Sequence, residues 1–280
     1  MPTLYVVATP IGHRDDITLR ALQILRQVDT VAAEDTRHTR ALLDHHGISA
    51  RLVSYREHNE ERASAELIAR LQAGESFALV SDAGTPLISD PGYRLVREAR
   101  LAGIDVVPVP GANAAITALS VAGLATDRFC FEGFLAARGP ARRKQLMLVR
   151  DETRTLVFYE APHRIVDLMA DMVSVFGEAR EVVIGRELTK KFEQLWSGSA
   201  AAAVAALAGE EIPVRGEFVV LVAGALPADS TADETEQFRV LSLLLPELPP
   251  KKAAELTASI TGGNKKDLYA QAVAIKQSKG

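Results

Sequence analysis

The run Ser81-Asp82-Ala83-Gly84-Thr85-Pro86-Leu87-Ile88-Ser89-Asp90-Pro91-Gly92 places two prolines, two glycines and two aspartates within residues 81–92. As a plain connection such a stretch is costly, because proline fixes φ and removes a donor while glycine loses the most freedom on folding. As a binding rim it is well made: glycine lets a ligand approach the backbone and proline keeps the loop stiff. The apolar run Phe77-Ala78-Leu79-Val80 before it reads as a buried strand, and Tyr93-Arg94-Leu95-Val96-Arg97-Glu98-Ala99 after it has helical spacing. A strand that opens through a small-residue loop into a helix is where parallel α/β proteins hold ligands. A second loop of this kind, Thr9-Pro10-Ile11-Gly12-His13, follows the first strand. It carries neither a Gly-x-Gly-x-x-Gly fingerprint nor a Walker phosphate loop, which argues against nicotinamide cofactors and nucleoside triphosphates. Pro10 lacks an N–H, so this turn is built for shape rather than as a phosphate nest, and His13 reads as a surface residue.

The elements that must carry these loops alternate. Strand-like runs at residues 4–8, 30–33, 51–54, 77–80 and 105–109 are separated by helical patterns at 19–27, 39–46 and 60–73, with Gly47 and Gly74 placed as helix stops. This alternation predicts a mostly parallel sheet with helices on both faces. Residues 108–113, Pro-Val-Pro-Gly-Ala-Asn, break the chain ahead of a small-residue helix at 114–122. A second α/β pattern follows, with strands at 155–159, 181–185 and 217–223 and helices at 164–176 and 199–208. The expected division is an α/β domain at 1–122, a second at 123–225, a polar linker at 225–235 and a small helical region at 236–280. In that last region, helices at 237–245 and 251–259 and the turn Thr261-Gly262-Gly263-Asn264 give a helix-turn-helix rhythm.

Bulk properties narrow the class. A chain of 280 residues with 48% hydrophobic and 24% charged residues is ordinary for a globular protein, and no apolar run reaches the length of a membrane span. The N-terminus enters a strand directly, without a basic leader, so a cytoplasmic location is expected. The single cysteine, Cys130 between Phe129 and Phe131, excludes an internal disulfide framework and a cysteine-cluster metal site, and reads as a structural thiol in a strand. A net charge of −4 excludes a uniformly basic coat. Local basic runs remain: Arg138, Arg142, Arg143, Lys144 and Arg150 without an acid at 136–150, and Lys251, Lys252, Lys265, Lys266, Lys276 and Lys279 near the end. Such patches on a mildly acidic body suit a polyanion.

Seven ordered motifs carry a family resemblance that spans nearly the whole chain. They are Val7-Ala8-Thr9-Pro10-Ile11-Gly12, Ala33-Glu34-Asp35-Thr36-Arg37, the 81–92 run, residues 108–115, Phe158-Tyr159-Glu160-Ala161-Pro162-His163-Arg164, Arg186-Glu187-Leu188-Thr189-Lys190-Lys191 and Arg215-Gly216-Glu217-Phe218-Val219. Together they resemble the ribosomal RNA small subunit methyltransferase I family, within the tetrapyrrole-methylase-fold superfamily. The resemblance implies S-adenosylmethionine in a cleft between two α/β domains and methyl transfer to a cytidine 2′-hydroxyl in the decoding centre of 16S ribosomal RNA. It also implies a homodimer acting on the assembled 30S subunit, with no metal and no membrane. Cofactor contacts would fall on Pro10, Ala83, Gly84, Thr85, Ile88, Asn113, Ala114, Glu160 and Leu188. Two departures stand out: His13 replaces a usual asparagine, and Gly84-Thr85-Pro86 replaces the Gly-Asp-Pro of tetrapyrrole methylases, so that Asp82 is the carboxylate left to serve there.

A ribose hydroxyl is a poor nucleophile, so transfer needs alignment with the methyl group and then proton removal. Candidate bases near the motifs are Lys190, Glu187, His58 and Glu60, none singled out by spacing, and no Lys-Asp-Lys-Glu arrangement is present. RNA phosphates would be met by Arg37, Arg40, Arg142, Arg143, Lys144, Arg164, Lys190 and Lys191, with Lys265 and Lys266 in the tail, and a splayed base by Tyr55, Phe192 or Trp196. Two rival readings share the fold: a methylase of a tetrapyrrole or other small molecule, and a noncatalytic ribosome assembly factor.

Overall fold

The computed structural model describes residues 2–226 and 230–278. Two compact units, Met1–Gly224 and Ala225–Gly280, make up the chain. In the first, β1 (Thr3–Val7), α1 (Leu19–Gln27), β2 (Thr30–Ala33), α2 (Thr36–His45), β3 (Leu52–Ser54), α3 (Glu60–Gln72), β4 (Phe77–Val80), α4 (Tyr93–Leu101), β5 (Asp105–Val109) and α5 (Ala114–Val121) follow one another. The five strands pair in the order β3-β2-β4-β1-β5, and every pairing is parallel. Alternation along β4 shows why both sheet faces are covered. Ala78 and Val80 join Leu25, Leu42 and Leu43 of α1 and α2, while Phe77 and Leu79 join Leu67, Leu71 and Leu95 of α3 and α4. The first helices start on side-chain caps, Thr18 onto Ala21 N–H and Asp35 onto Arg37 N–H. The Asp35 cap brings α2 forward to Thr36 from the expected residue 39.

A second sheet is built from β6 (Phe129–Phe134), α6 (Gly139–Leu148), β7 (Thr155–Glu160), α7 (Ile165–Phe176), β8 (Glu181–Arg186), β9 (Gln194–Ser199), α8 (Ala200–Ala208) and β10 (Phe218–Val222). Its order is β6-β7-β10-β8-β9, parallel between β6 and β7 and antiparallel elsewhere. One face, with Phe158, Ile184 and Val220, packs under α6, α7 and α8. The other, with Val157, Val183, Val219 and Leu221, receives Ala115, Ala118 and Leu119 of α5. The small residues of α5 thus let it seat closely on the second sheet while its N-terminus stays at the end of β5. The edge strands β6 and β9 escape the sequence reading, apart from the strand position of Cys130, because they lack a run of buried residues. Cys130 is only partly buried, and that burial raises its thiol pKa.

In the second unit α9 (Ser230–Leu244), α10 (Pro250–Thr261) and α11 (Lys265–Ser278) enclose Leu241, Leu245, Ala253, Ala254, Leu268 and Ala272. Gly262 closes α10 in the left-handed region at φ 73°, where a side chain would be strained. The expected linker at 225–235 is shorter than read: α9 begins at Ser230, and polar composition alone does not separate a linker from a solvent-facing helix. Residues 227–229 of that linker, and Lys279, lie outside the described residues. Among the described residues no helix is long and apolar enough to cross a membrane.

The basic run around α6 is corrected by its burial. Arg142 is not a phosphate ligand: its Nε donates to Asp171 Oδ2 at 2.6 Å, and both side chains are buried between α6 and α7. Arg143 shares the same carboxylate from the surface side at 2.8 Å. Removing Asp171 leaves a buried guanidinium without its counter-charge, so Asp171→Ala should destabilise the chain by about 3–5 kcal/mol. The double variant Arg142→Met/Asp171→Leu should recover most of this loss in urea unfolding; equal stability of Asp171→Ala and the parent would refute a structural pair.

Candidate functional site

The loops after β1, β4 and β5 converge because their strands are neighbours in the sheet. Thr9 and Gly84 exchange backbone hydrogen bonds at 2.8 and 3.0 Å, and Thr9 Oγ1 donates to Ser81 O at 3.1 Å. Gly84 sits at φ 80°, and a Cβ there would stand 3.4 Å from Ile11 Cγ2. Thr85 Oγ1 donates to Ala112 O at 3.0 Å, which ties in the loop after β5. Asn113 then caps α5 by accepting Ile116 N–H. From the second sheet, Tyr159 Oη accepts Ala115 N–H at 3.1 Å. Leu87 and Ser89 in the same loop hold positive φ without being glycine, at 73° and 67°. Strain of that kind is kept where surrounding contacts fix it, commonly at sites.

These loops enclose a cavity of about 370 Å³. Its apolar wall includes Ile11, Ile88, Phe134, Tyr159, Phe218 and Val219. Its polar wall has five carboxyl side chains, Glu34, Asp82, Asp90, Glu160 and Glu217, and no lysine, arginine or histidine. Asp82 Oδ1 accepts Asp35 N–H at 2.9 Å. Glu160 Oε1 accepts Ala161 N–H at 2.9 Å and lies 3.0 Å from Arg164 Nε, whereas its buried Oε2 has no hydrogen-bond partner. Burial raises the pKa of Glu160 against the pull of that N–H and Arg164. Burial also raises Glu34, helped by the charge of Asp82. Asp90 is pushed up to about 7 by burial and by the nearby Glu34. Such a wall repels anions and welcomes a cation with a flat apolar part.

Of the residues expected to hold the cofactor, Asp82, Ala83, Gly84, Thr85, Ile88, Asn113, Ala114 and Glu160 line this one cavity. Pro10 lines an adjoining cavity of about 260 Å³ that shares Ile11, Asp82, Ala83 and Glu217 with it. Leu188 is buried in the apolar cluster beneath, against Ile11 and Val219. Glu34, Asp90, Phe134, Tyr159 and Glu217 also line the large cavity and were not singled out from the sequence. Tyr159, Glu34 and Glu217 lie inside quoted motifs, so the motifs were the available signal.

The expected bases do not fit proton removal. Lys190 reaches the smaller cavity, but its Nζ lies 2.9 Å from Glu187 Oε1 and 2.8 Å from Glu217 Oε2. Burial favours its neutral form, yet the two carboxylates prevail and raise its pKa, so it stays charged. Burial works to raise Glu187, but the Lys190 and Glu217 N–H bonds win and lower it. Its Oε1 accepts from both donors, and the side chain packs where a Cβ on Gly216 would fall. His58 is exposed in a short turn and lines neither cavity. Glu60 is a brace: its Oε1 accepts from Tyr55 Oη, Gly92 N–H and Arg94 N–H.

The expected RNA contacts divide. Arg37, Lys144 and Lys191 are exposed, and Arg143 is half-exposed. Arg164 is largely buried, donating to Leu135 O and paired with Glu160, and Arg40 donates to Ala50 O. These two brace the fold. Tyr55 is fully buried and cannot stack on a base, Trp196 donates to Glu211 Oε1, and Phe192 is exposed. In the second unit, Lys251, Asn264, Lys265, Lys266 and Tyr269 line one open hollow. Elsewhere Asp15, His45 and His46 place ligand-type atoms within 4.8 Å of one another at the surface, with Asp15 and His45 paired and His46 Nε2 beside Arg14 O.

The chain was compared with known proteins. The family model for tetrapyrrole (corrin/porphyrin) methylases matches residues 3–204, and that for the RsmI C-terminal HTH domain matches 231–276. The chain is 55% identical over 272 residues to ribosomal RNA small subunit methyltransferase I of Pseudomonas aeruginosa, covering 97% of this chain and 96% of that protein. It is 53% identical to the Escherichia coli O157:H7 protein of the same name, covering 96% and 94%. A solved structure of uroporphyrin-III-C-methyltransferase from Thermus thermophilus shares the fold with a TM-score of 0.56 at 22% identity, covering 80% of this chain and 94% of that one.

The brace at Glu60 is testable by itself. Glu60→Ala should leave Gly92 N–H and Arg94 N–H without their carboxylate and lower unfolding stability by about 2 kcal/mol. An unchanged melting temperature would contradict the role.

Proposed function

Because this chain belongs to the ribosomal RNA small subunit methyltransferase I family of tetrapyrrole-type methylases, we propose that it methylates a cytidine ribose 2′-hydroxyl in small-subunit ribosomal RNA, using S-adenosylmethionine. The observation that carries this reading is the 370 Å³ cavity with five carboxyl side chains, no basic side chain and one apolar wall. S-adenosylmethionine supplies an activated methyl group on a sulfonium cation. Glu34, Asp82 and Asp90 favour that positive charge, and the unpartnered Oε2 of Glu160 offers an acceptor to a hydroxyl or amine. Ala83, Gly84 and Ala114 bring backbone close to the ligand, while Ile11, Ile88 and Val219 give it an apolar bed.

On the acceptor side, Phe134 is 53% exposed at the cavity and edge-on to Tyr159 at 5.6 Å. These rings suit a base drawn out of folded RNA better than Tyr55 or Trp196. Arg37, Lys144 and Lys191 supply phosphate contacts from the first unit, and Lys265 and Lys266 a further basic surface in the second. The decoding-centre cytidine, the assembled 30S subunit as substrate and a homodimer complete the reading and rest on the sequence resemblance, whereas a cytoplasmic location and a division of the two sheets near residues 122–123 rest on the sequence pattern.

The test is transfer of isotope-labelled methyl from S-adenosylmethionine to 30S subunits, to protein-free 16S RNA and to a tetrapyrrole, followed by nucleoside mass analysis. The expected product is 2′-O-methylcytidine from 30S subunits. Label in the tetrapyrrole would favour the small-molecule reading, and binding to subunits without transfer the assembly-factor reading.

A further inference from the structure

We propose that Asp90 is the group that accepts the proton from the attacking hydroxyl during methyl transfer, an inference that rests on the reading above. Among the five carboxyl side chains of the cavity, three are engaged in hydrogen bonds or ion pairs. Asp82 is held by Asp35 N–H. Glu160 is held by Ala161 N–H and Arg164, and Glu217 by Lys190. The Ser81 hydroxyl nearby donates to Ala83 O and Gly84 O. Of the two carboxyls left, Glu34 lies beside Asp82, whereas Asp90 follows Ser89, whose Oγ lies 3.0 Å from where a Cβ on Gly133, next to Phe134, would stand. It lines the cavity beside Ser89 and shares its wall with Phe134 and Tyr159, the rings suited to the acceptor base.

The groups facing Asp90 are Glu34 from the end of β2 and Tyr159 from β7, with Asp82 from its own loop after β4. Burial and the charges of Glu34 and Asp82 disfavour its carboxylate, which places its pKa at about 7. A carboxyl poised there is matched to general-base work at neutral pH, unlike a solvated aspartate, which is too weak a base. In the step proposed, a lone pair of the ribose oxygen forms the new O–CH₃ bond as the S–CH₃ bond breaks with its electron pair kept by sulfur. The hydroxyl proton passes to Asp90 and then to water. The sulfonium charge is lost with the methyl, so charge balances with one proton released.

The sign of the linkage gives a readout independent of catalysis. Burial and the neighbouring carboxylates raise the pKa of Asp90 to about 7, so near neutral pH part of it carries a proton. A cation bound in the same cavity lowers that pKa, so donor binding expels a proton and readies the carboxylate. Calorimetry of S-adenosylmethionine binding at pH 7, in buffers of differing ionisation enthalpy, should therefore show release of a fraction of a proton. Asp90→Asn should bind the donor without that release and lose roughly 100-fold or more in single-turnover methyl transfer to 30S subunits. Asp90→Glu, which keeps a carboxyl, should retain proton release and recover part of the rate. If either folded variant shows the opposite pattern, with Asn transferring within threefold of the parent or releasing the same proton, Asp90 is not the acceptor. A parent that binds no donor, or transfers no methyl to ribosomal RNA, would overturn the underlying reading and this one with it. A parent that transfers normally while Asp90→Asn does too would overturn this one alone.

Discussion

The reciprocal hydrogen bonds between Thr9 and Gly84 join two loops that belong to neighbouring strands, and the rest of the site is arranged around that joint. The geometry requires a residue at φ 80°, which is a glycine's position. With the joint made, Thr85 reaches Ala112, Asn113 caps α5 and α5 delivers Ala115 N–H to Tyr159 of the second sheet. A chain of local bonds thus extends from the first sheet to the second. Left-handed Leu87 and Ser89 mark where the loop is bent further than its residues prefer, at a cost of order 1–3 kcal/mol each. Glu60 offsets part of that by pinning Gly92 and Arg94 at the loop's exit.

Electrostatics then separates two kinds of charge. Basic groups near the site are neutralised in pairs: Arg164 on Glu160, and Lys190 between Glu187 and Glu217. The carboxyls left facing the larger cavity, Glu34 and Asp90, are both pushed toward their neutral forms. A cavity of this kind is unfinished electrostatically until a cation enters it. The uncommitted lysines and arginines lie on the outer surface, where long-range attraction to a polyanion is useful and desolvation is avoided.

Much of the first sheet was legible because its strands are continuous apolar runs bounded by Gly47, Gly74 and the proline loops. The edge strands β6 and β9 were not, since half-exposed edges leave no such run. The 81–92 loop announced itself by composition, but the two aspartates in it look alike in sequence. Their difference arises from Asp35 N–H, 47 residues from Asp82, and from Glu34, whose charge acts on Asp90 across the cavity. Arg142 shows the same limit in reverse. A basic run suggests a surface, yet its partner Asp171 lies 29 residues away on α7 and draws it inside. Tyr159 stood within a quoted motif without a role, because the N–H that it accepts belongs to Ala115, 44 residues earlier. Pairings across such separations leave no local pattern to read.

Hydrogen–deuterium exchange of the whole chain, with and without S-adenosylmethionine, addresses the central claim most directly, since it reports where the methyl donor sits. Slowed exchange should appear at residues 9–12, 82–90, 113–116 and 160–162, the backbone around the acidic cavity. Protection confined to other segments, or none at saturating donor, would contradict the assignment of this cavity as the methyl-donor site.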